Sequence, residues 1–214
     1  MSASRRHSDR ELGALREAIR DGSSRGHALL AEIERRDEDK RDGWVEALLG
    51  IDAPIERAAI ADRELIGYQP SGVGAVLALI RDVPIGAGDV FVDIGSGLGK
   101  VTMLVHLLSG ARALGLERDA ALVARARERA KAFALAGVSY VHGDARDSLP
   151  EGNVYFMYAP VTGSALERVM ARLEATTRGH TVTICTLGLD LARFRWLSER
   201  RSDDLFVSIY DRRS

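Results

Sequence analysis

The sequence predicts an α/β protein built on a doubly wound sheet of seven strands, mostly parallel, with a helical extension at its N-terminal side. Three observations predict it. From residue 89 onward, short apolar runs alternate with amphipathic runs of helical period, as repeated βαβ units require. The apolar runs are apolar on both faces, which suits strands covered by helices on two sides. The first run opens into a loop with glycine at every second position, Gly95, Gly97 and Gly99, and then into a helix.

The elements follow in chain order. Residues 1–66 are highly charged and helix-patterned and form a predicted helical cap; residues 67–214 form the main domain. Ser8-Asp9-Arg10-Glu11 reads as a capping box. Leu12, Leu15 and Ile19 follow at helical spacing, and Asp21-Gly22 stops the helix. A second helix is expected over 24–36 on Leu29, Leu30 and Ile33. Trp44, Val45, Leu48 and Leu49 mark a third, and Pro54 opens a short helical stretch to about Leu65. The alternative reading of this region is a separate interaction arm. Tyr68-Gln69-Pro70-Ser71 breaks the pattern and starts a helix over 72–81. Strands are then expected at 89–95, 111–117, 138–144, 153–159 and 180–186, with helices at 98–109, 119–136 and 163–177. Phe194 to Leu197 and Leu205 to Tyr210, separated by Arg201-Ser202-Asp203-Asp204, predict a terminal antiparallel hairpin.

Composition narrows the partners. A net charge of −1 over 214 residues creates no global field to hold nucleic acid, so nucleic acid is not an expected partner. No run reaches the roughly 18 apolar residues of a membrane span. Cys185 is the only cysteine, which excludes an intrachain disulfide and fits a reducing compartment. The polar start, with Arg5, Arg6 and Arg10, has no apolar leader segment, and a cytoplasmic location is expected.

The glycine loop carries the chemistry. Without Cβ atoms a ligand lies against bare backbone, and the helix that follows offers N–H groups. A dinucleotide turn reads G-x-G-x-x-G and holds a pyrophosphate. Here the pattern is D-x-G-x-G-x-G, with Asp93 two residues before Gly95 and Ser96 inside the loop. A carboxylate at that point repels a phosphate and suits a cation. S-adenosylmethionine (SAM) carries an ammonium and a sulfonium and has no phosphate. Glu117 ends the second strand, where an acid accepts hydrogen bonds from ribose hydroxyls. Asp144 ends the third, and its side chain with the Ala145 N–H would read the edge of an adenine. Arg118 and Gly143 neighbour these two acids and complete the expected cofactor-binding set.

With these three strand ends in chain order, the sequence from Tyr68 to the C-terminus resembles the class I SAM-dependent methyltransferases. The resemblance implies a Rossmann-like sheet, SAM as cofactor and S-adenosylhomocysteine as product. Tyr68-Gln69-Pro70-Ser71 resembles a segment of Dot1-like lysine methyltransferases and of small bacterial relatives, where it walls the methionine end of SAM. Phe156-Met157-Tyr158-Ala159-Pro160 is similar to the fourth-strand end of those bacterial relatives. It departs from the asparagine and phenylalanine of the eukaryotic Dot1 enzymes, and no lysine-rich tail is present. It also lacks the Asp/Asn-Pro-Pro-aromatic motif with which DNA amino methyltransferases hold a planar amine, which argues against a nucleobase acceptor.

Tyr68 and Tyr158 are the expected catalytic residues and also line the cofactor site. An aromatic face beside a sulfonium gains cation–π stabilisation; the plainer alternative is that Tyr158 only packs under the following loop. His7, His27, His106, His142 and His180 offer no convincing general base. No metal-ligand spacing occurs, and Ser96 lacks the His and acid context of a hydrolase. The expected function is methyl transfer to a nucleophile, favouring an amine such as a protein lysine. The alternatives are N- or O-methylation of a small molecule or modified peptide, and a non-catalytic SAM-binding protein. The glycine spacing disfavours a nicotinamide oxidoreductase.

Overall fold

A computed structural model describes residues 3–51, 70–158, 161–202 and 207–213. The helices are α1 (Ala3–Arg20), α2 (His27–Glu34), α3 (Glu38–Leu49), α4 (Val73–Asp82), α5 (Lys100–Ser109), α6 (Ala120–Ala132) and α7 (Gly163–Thr176). The strands are β1 (Val90–Ile94), β2 (Arg112–Glu117), β3 (Val138–His142), β4 (Val154–Met157), β5 (Thr183–Leu187), β6 (Leu197–Arg200) and β7 (Val207–Arg212). They form one seven-stranded sheet in the order β3-β2-β1-β4-β5-β7-β6. The first five strands are parallel, and β7 inserts antiparallel between β5 and β6. The chain winds outward from β1 to β3 and then returns to β4 on the other side of β1. That reversal opens a crevice at the carboxyl ends of β1 and β4, where open α/β sheets bind ligands.

Alternation along the strands sends side chains to two cores. Phe91, Ala113, Phe156, Cys185 and Ile209 face one core, shared with Leu79, Leu104 and Val123 of α4, α5 and α6. Ile19, Ile33 and Leu48 of the N-terminal helices join the same core. Val92, Ile94, Tyr155, Met157 and Ile184 face the other, which α7 covers with Leu166, Val169, Met170 and Leu173. A helix as short as α3 is marginal alone. Burial of its Val45, Leu48 and Leu49 holds it, each such side chain contributing roughly 1.5–3 kcal/mol. Polar bonds add to the docking of the N-terminal helices. Arg16 donates to the carbonyls of Ala47 and Leu48, and the Gly26 N–H donates to Leu107 O at 2.8 Å.

Several boundaries differ from the sequence expectation. The predicted capping box at Ser8 lies inside α1, which begins at Ala3. No glycine or proline stands at 3–8 to stop the helix, and each added residue closes another hydrogen bond. The second helix starts at His27, because Gly26 with φ 56° breaks the turn before it. The fifth strand begins at Thr183, and His180 is exposed before it. The hairpin exists, but its first strand begins at Leu197, so Phe194 to Trp196 precede it. The helix predicted from Pro54 and the 66/67 boundary fall outside the described residues.

Candidate active site

β1 delivers Asp93 and then the glycine loop. Leu116 O accepts from the Gly95 N–H at 2.8 Å and the Ser96 N–H at 3.1 Å, so the loop folds back over the end of β2. Glu117 clamps it from the same strand end. Its Oε2 accepts from the Gly97 N–H at 2.9 Å and its Oε1 from the Asp119 N–H at 2.8 Å. The close packing requires glycine at two points. At Gly99, φ is 80° and a Cβ would fall 2.1 Å from the Tyr140 hydroxyl. That hydroxyl itself donates to Gly99 O at 3.2 Å. At Gly115 on β2, a Cβ would fall 2.5 Å from Ser96 Oγ.

Asp93 is buried beneath this loop, and Thr102 Oγ1 donates to its Oδ2 at 2.7 Å. Burial raises its pKa to about 7, the Thr102 bond opposes the rise, and the charge of Glu117 adds to it. A carboxyl so placed ionises readily only beside a cation. Ser96 Oγ is buried and has no hydrogen-bond partner among the described residues.

The third acid stands differently. Asp144 accepts a fork from Arg146, with Nε at 3.0 Å from Oδ1 and Nη2 at 2.7 Å from Oδ2. These bonds hold its carboxyl below the usual range, and Arg118 adds a smaller pull. The Arg146 fork occupies part of the carboxylate that the sequence reading assigns to the adenine edge, since a carboxylate gripped by a guanidinium has fewer lone pairs to offer. Ala145 is half-buried against the α7-side core. The Gly143 N–H donates to Glu117 O at 3.0 Å, joining the ends of β2 and β3. Arg118 is exposed, and its carbonyl meets His142 Nε2 at 3.0 Å. Tyr158 is half-buried and packs on the α4–α6 side of the sheet. It lies one residue past the Ile94–Met157 pair, level with Gly95. Tyr68 lies outside the described residues. His106 is tied by Nδ1 to Ala111 O at 2.7 Å, inside the helical layer.

A groove of ≈ 550 Å³ between α7 and the 193–196 segment is separate from this site. Leu197 pairs with Arg212, beside the Thr183–Asp211 pair, which places that segment at the amino ends of the parallel strands.

No family model matches the chain, and no curated protein does. Solved structures do. An RNA methyltransferase from Salinibacter ruber, in complex with S-adenosylhomocysteine, superposes with a TM-score of 0.58 at 25% identity, over 67% of this chain and 92% of that one. TrmN from Thermus thermophilus gives 0.52 at 19% identity, over 64% and 48%. The mitomycin 7-O-methyltransferase MmcR gives 0.50 at 17% identity, over 67% and 55%. The chain thus spans about half the length of the last two.

This is the fold of a SAM-dependent methyltransferase.

SAM is the cofactor such a methyltransferase fold implies, and the residues present fit it. The buried Ser96 hydroxyl in the glycine loop has no hydrogen-bond partner among the described residues, which leaves it free for a polar group of the cofactor. The buried acid Asp93 meets the need of a cationic, phosphate-free ligand. Among the described residues no cluster of His, Cys, Asp or Glu could hold a metal ion, and no helix is long and apolar enough to cross a membrane.

Sequence reasoning missed several residues around the candidate site. Thr102 lies nine residues past Asp93, on the helix that the loop begins. Gly115 sits inside an apolar strand, where an isolated glycine signals close backbone approach. Arg146, two residues after Asp144, gave only a weak local signal. Lys100 is buried with its Nζ 2.8 Å from Glu46 Oε1 and 3.2 Å from Asp42 Oδ1. Its partners are more than fifty residues away in sequence, so no local pattern could pair them.

Proposed function

We propose that this SAM-dependent methyltransferase acts on an amine nitrogen, a protein lysine being the first candidate. The observation that carries the cofactor half of the reading is the glycine loop closed over buried Asp93, with Ser96 Oγ left without a partner. Bound SAM supplies an electrophilic methyl carbon on a sulfonium. In this reading Asp93 lends negative charge beneath the loop, and Ser96 donates or accepts one hydrogen bond within it. Glu117, already turned inward by the Gly97 and Asp119 N–H groups, keeps lone pairs for ribose hydroxyls. Gly95 and Gly97 leave backbone open to the cofactor, Gly99 packs against Tyr140 at the loop's end, and Gly143, Asp144 and Ala145 border the adenine, with Arg118 beside them. Tyr158, level with Gly95, and Tyr68 frame the methyl from the acceptor side.

An amine acceptor must arrive without its proton. In this reading the neighbouring sulfonium and an apolar approach to it both disfavour the ammonium form, which reduces the need for a strong base. Alignment of the nucleophile along that approach supplies up to about 7–11 kcal/mol. The lysine preference rests on the Tyr68-Gln69-Pro70-Ser71 segment and its likeness to Dot1-like enzymes. A second reading, an RNA acceptor, is favoured by the Salinibacter ruber likeness, which spans nearly all of that protein. A third, a small molecule or peptide, follows from the mixed acceptors of the fold.

The test is transfer of label. The purified chain is incubated with methyl-labelled SAM and with protein, RNA and small-metabolite fractions of a lysate. Label in lysine side chains is the expected result. Label confined to RNA or to small molecules replaces lysine by that acceptor. Cofactor binding by calorimetry with no label in any fraction leaves a binding protein without catalysis.

A further inference from the structure

We propose that the ion-pair cluster of Lys100 with Asp42 and Glu46 sets the charge beside the glycine loop, and thereby the preference of the site for its charged donor over the neutral product. Lys100 directly follows Gly99 and is only 4% exposed. Desolvated and alone, its ammonium would raise the potential of the whole loop, since solvent and salt screen a buried charge poorly. The two carboxylates, 51% and 26% exposed, oppose it. One cation faces two anions, so the cluster carries a formal charge of −1.

The cluster is also held in place. Asp42 and Glu46 stand four residues apart on α3, hence on one helical face. Asp42 Oδ1 accepts a second bond, from the Val73 N–H at 2.8 Å. A single helix from the N-terminal region thus ties down the starts of α4 and α5, the helices that precede and follow β1 in the chain. None of these side chains is needed to touch the cofactor; they act as positioning residues through the loop and through its field.

Built on the cofactor proposed above, the consequence is a selectivity. SAM and S-adenosylhomocysteine share every group except the methyl, and they differ by one positive charge at sulfur. A change of charge at the cluster acts on the first and leaves the second nearly untouched.

The experiment is calorimetric titration of the full chain with SAM and with S-adenosylhomocysteine, in Glu46→Gln and Lys100→Met. Glu46→Gln removes a negative charge, and the SAM-to-product affinity ratio should fall about fivefold. Lys100→Met removes a positive charge, and the ratio should rise by a similar factor. Both substitutions break the same contact, so a purely structural role would weaken both ligands together and leave the ratio alone in both variants. That result overturns the proposal. Should Lys100→Met fail to melt cooperatively by circular dichroism, Glu46→Gln decides alone. Its amide keeps the shape of a partly exposed side chain, and an unchanged ratio there also overturns the proposal. Wild-type protein that binds neither ligand overturns the cofactor reading, and this inference with it; binding of both with an unresponsive ratio overturns this inference only.

Discussion

Asp93 is a carboxyl that the fold would rather keep protonated. Its pKa stands at about 7, against an ordinary 3.8, because burial outweighs the Thr102 hydrogen bond. The group is raised, so its favourable contribution to stability is complete below the unfolded value and is lost as pH climbs through about 7. Urea unfolding of the ligand-free protein should therefore show lower stability at pH 8.5 than at pH 5.5. Asp93→Asn, which has no proton to lose, should flatten that difference; an equally steep difference in the variant would assign it to another group. A cationic ligand acts in the opposite sense. SAM binding should strengthen through the same window in the wild type, as the carboxylate forms beneath it.

At the scale of the element, α6 and α5 begin in contrasting ways. Asp119 caps α6 with its side chain, accepting from Ala121 N–H at 2.8 Å and Leu122 N–H at 3.3 Å. The N-cap of α5 is Gly99, which has no side chain to offer. One helix start is closed for stability, while the other is left as bare backbone beside the loop. Asp119→Ala should cost about 1 kcal/mol, or roughly 2–4 °C in melting temperature for a chain of this size. The same residue's backbone N–H supports Glu117 Oε1 at 2.8 Å. That bond survives the substitution, so affinity for S-adenosylhomocysteine should stay near wild type. A large loss of affinity would mean that the cap, and not the backbone bond, orients Glu117.

At the scale of the whole molecule, one of the two cores runs from the N-terminal helices through α4–α6 to the sheet, and Cys185 lies within it on β5. Burial pushes its thiol up to about 12, with Arg200 opposing and Asp211 adding to the rise. Because only the thiolate reacts, and only when exposed, Cys185 reports on opening of the sheet. Modification by a disulfide reagent at pH 8 should be slow in native buffer and should accelerate in parallel with global unfolding by urea. Fast labelling under native conditions would reveal local opening of β5 and β7.

By itself the sequence determined the order of the elements, the parallel sheet with its terminal hairpin, and the loop that follows Asp93. Hydrophobic period and glycine spacing are local properties, and a window of a dozen residues contains them. Strand ends at Ile94, Glu117 and His142 came within two residues for the same reason. Only the tertiary structure decided which groups meet. It matched Gly115 to Ser96, gave Asp144 to Arg146, and brought Asp42 and Glu46 of α3 to Lys100. Such pairings depend on how distant helices and strands pack together. A buried charge finds its partner through space, and the chain between them carries no period that announces it.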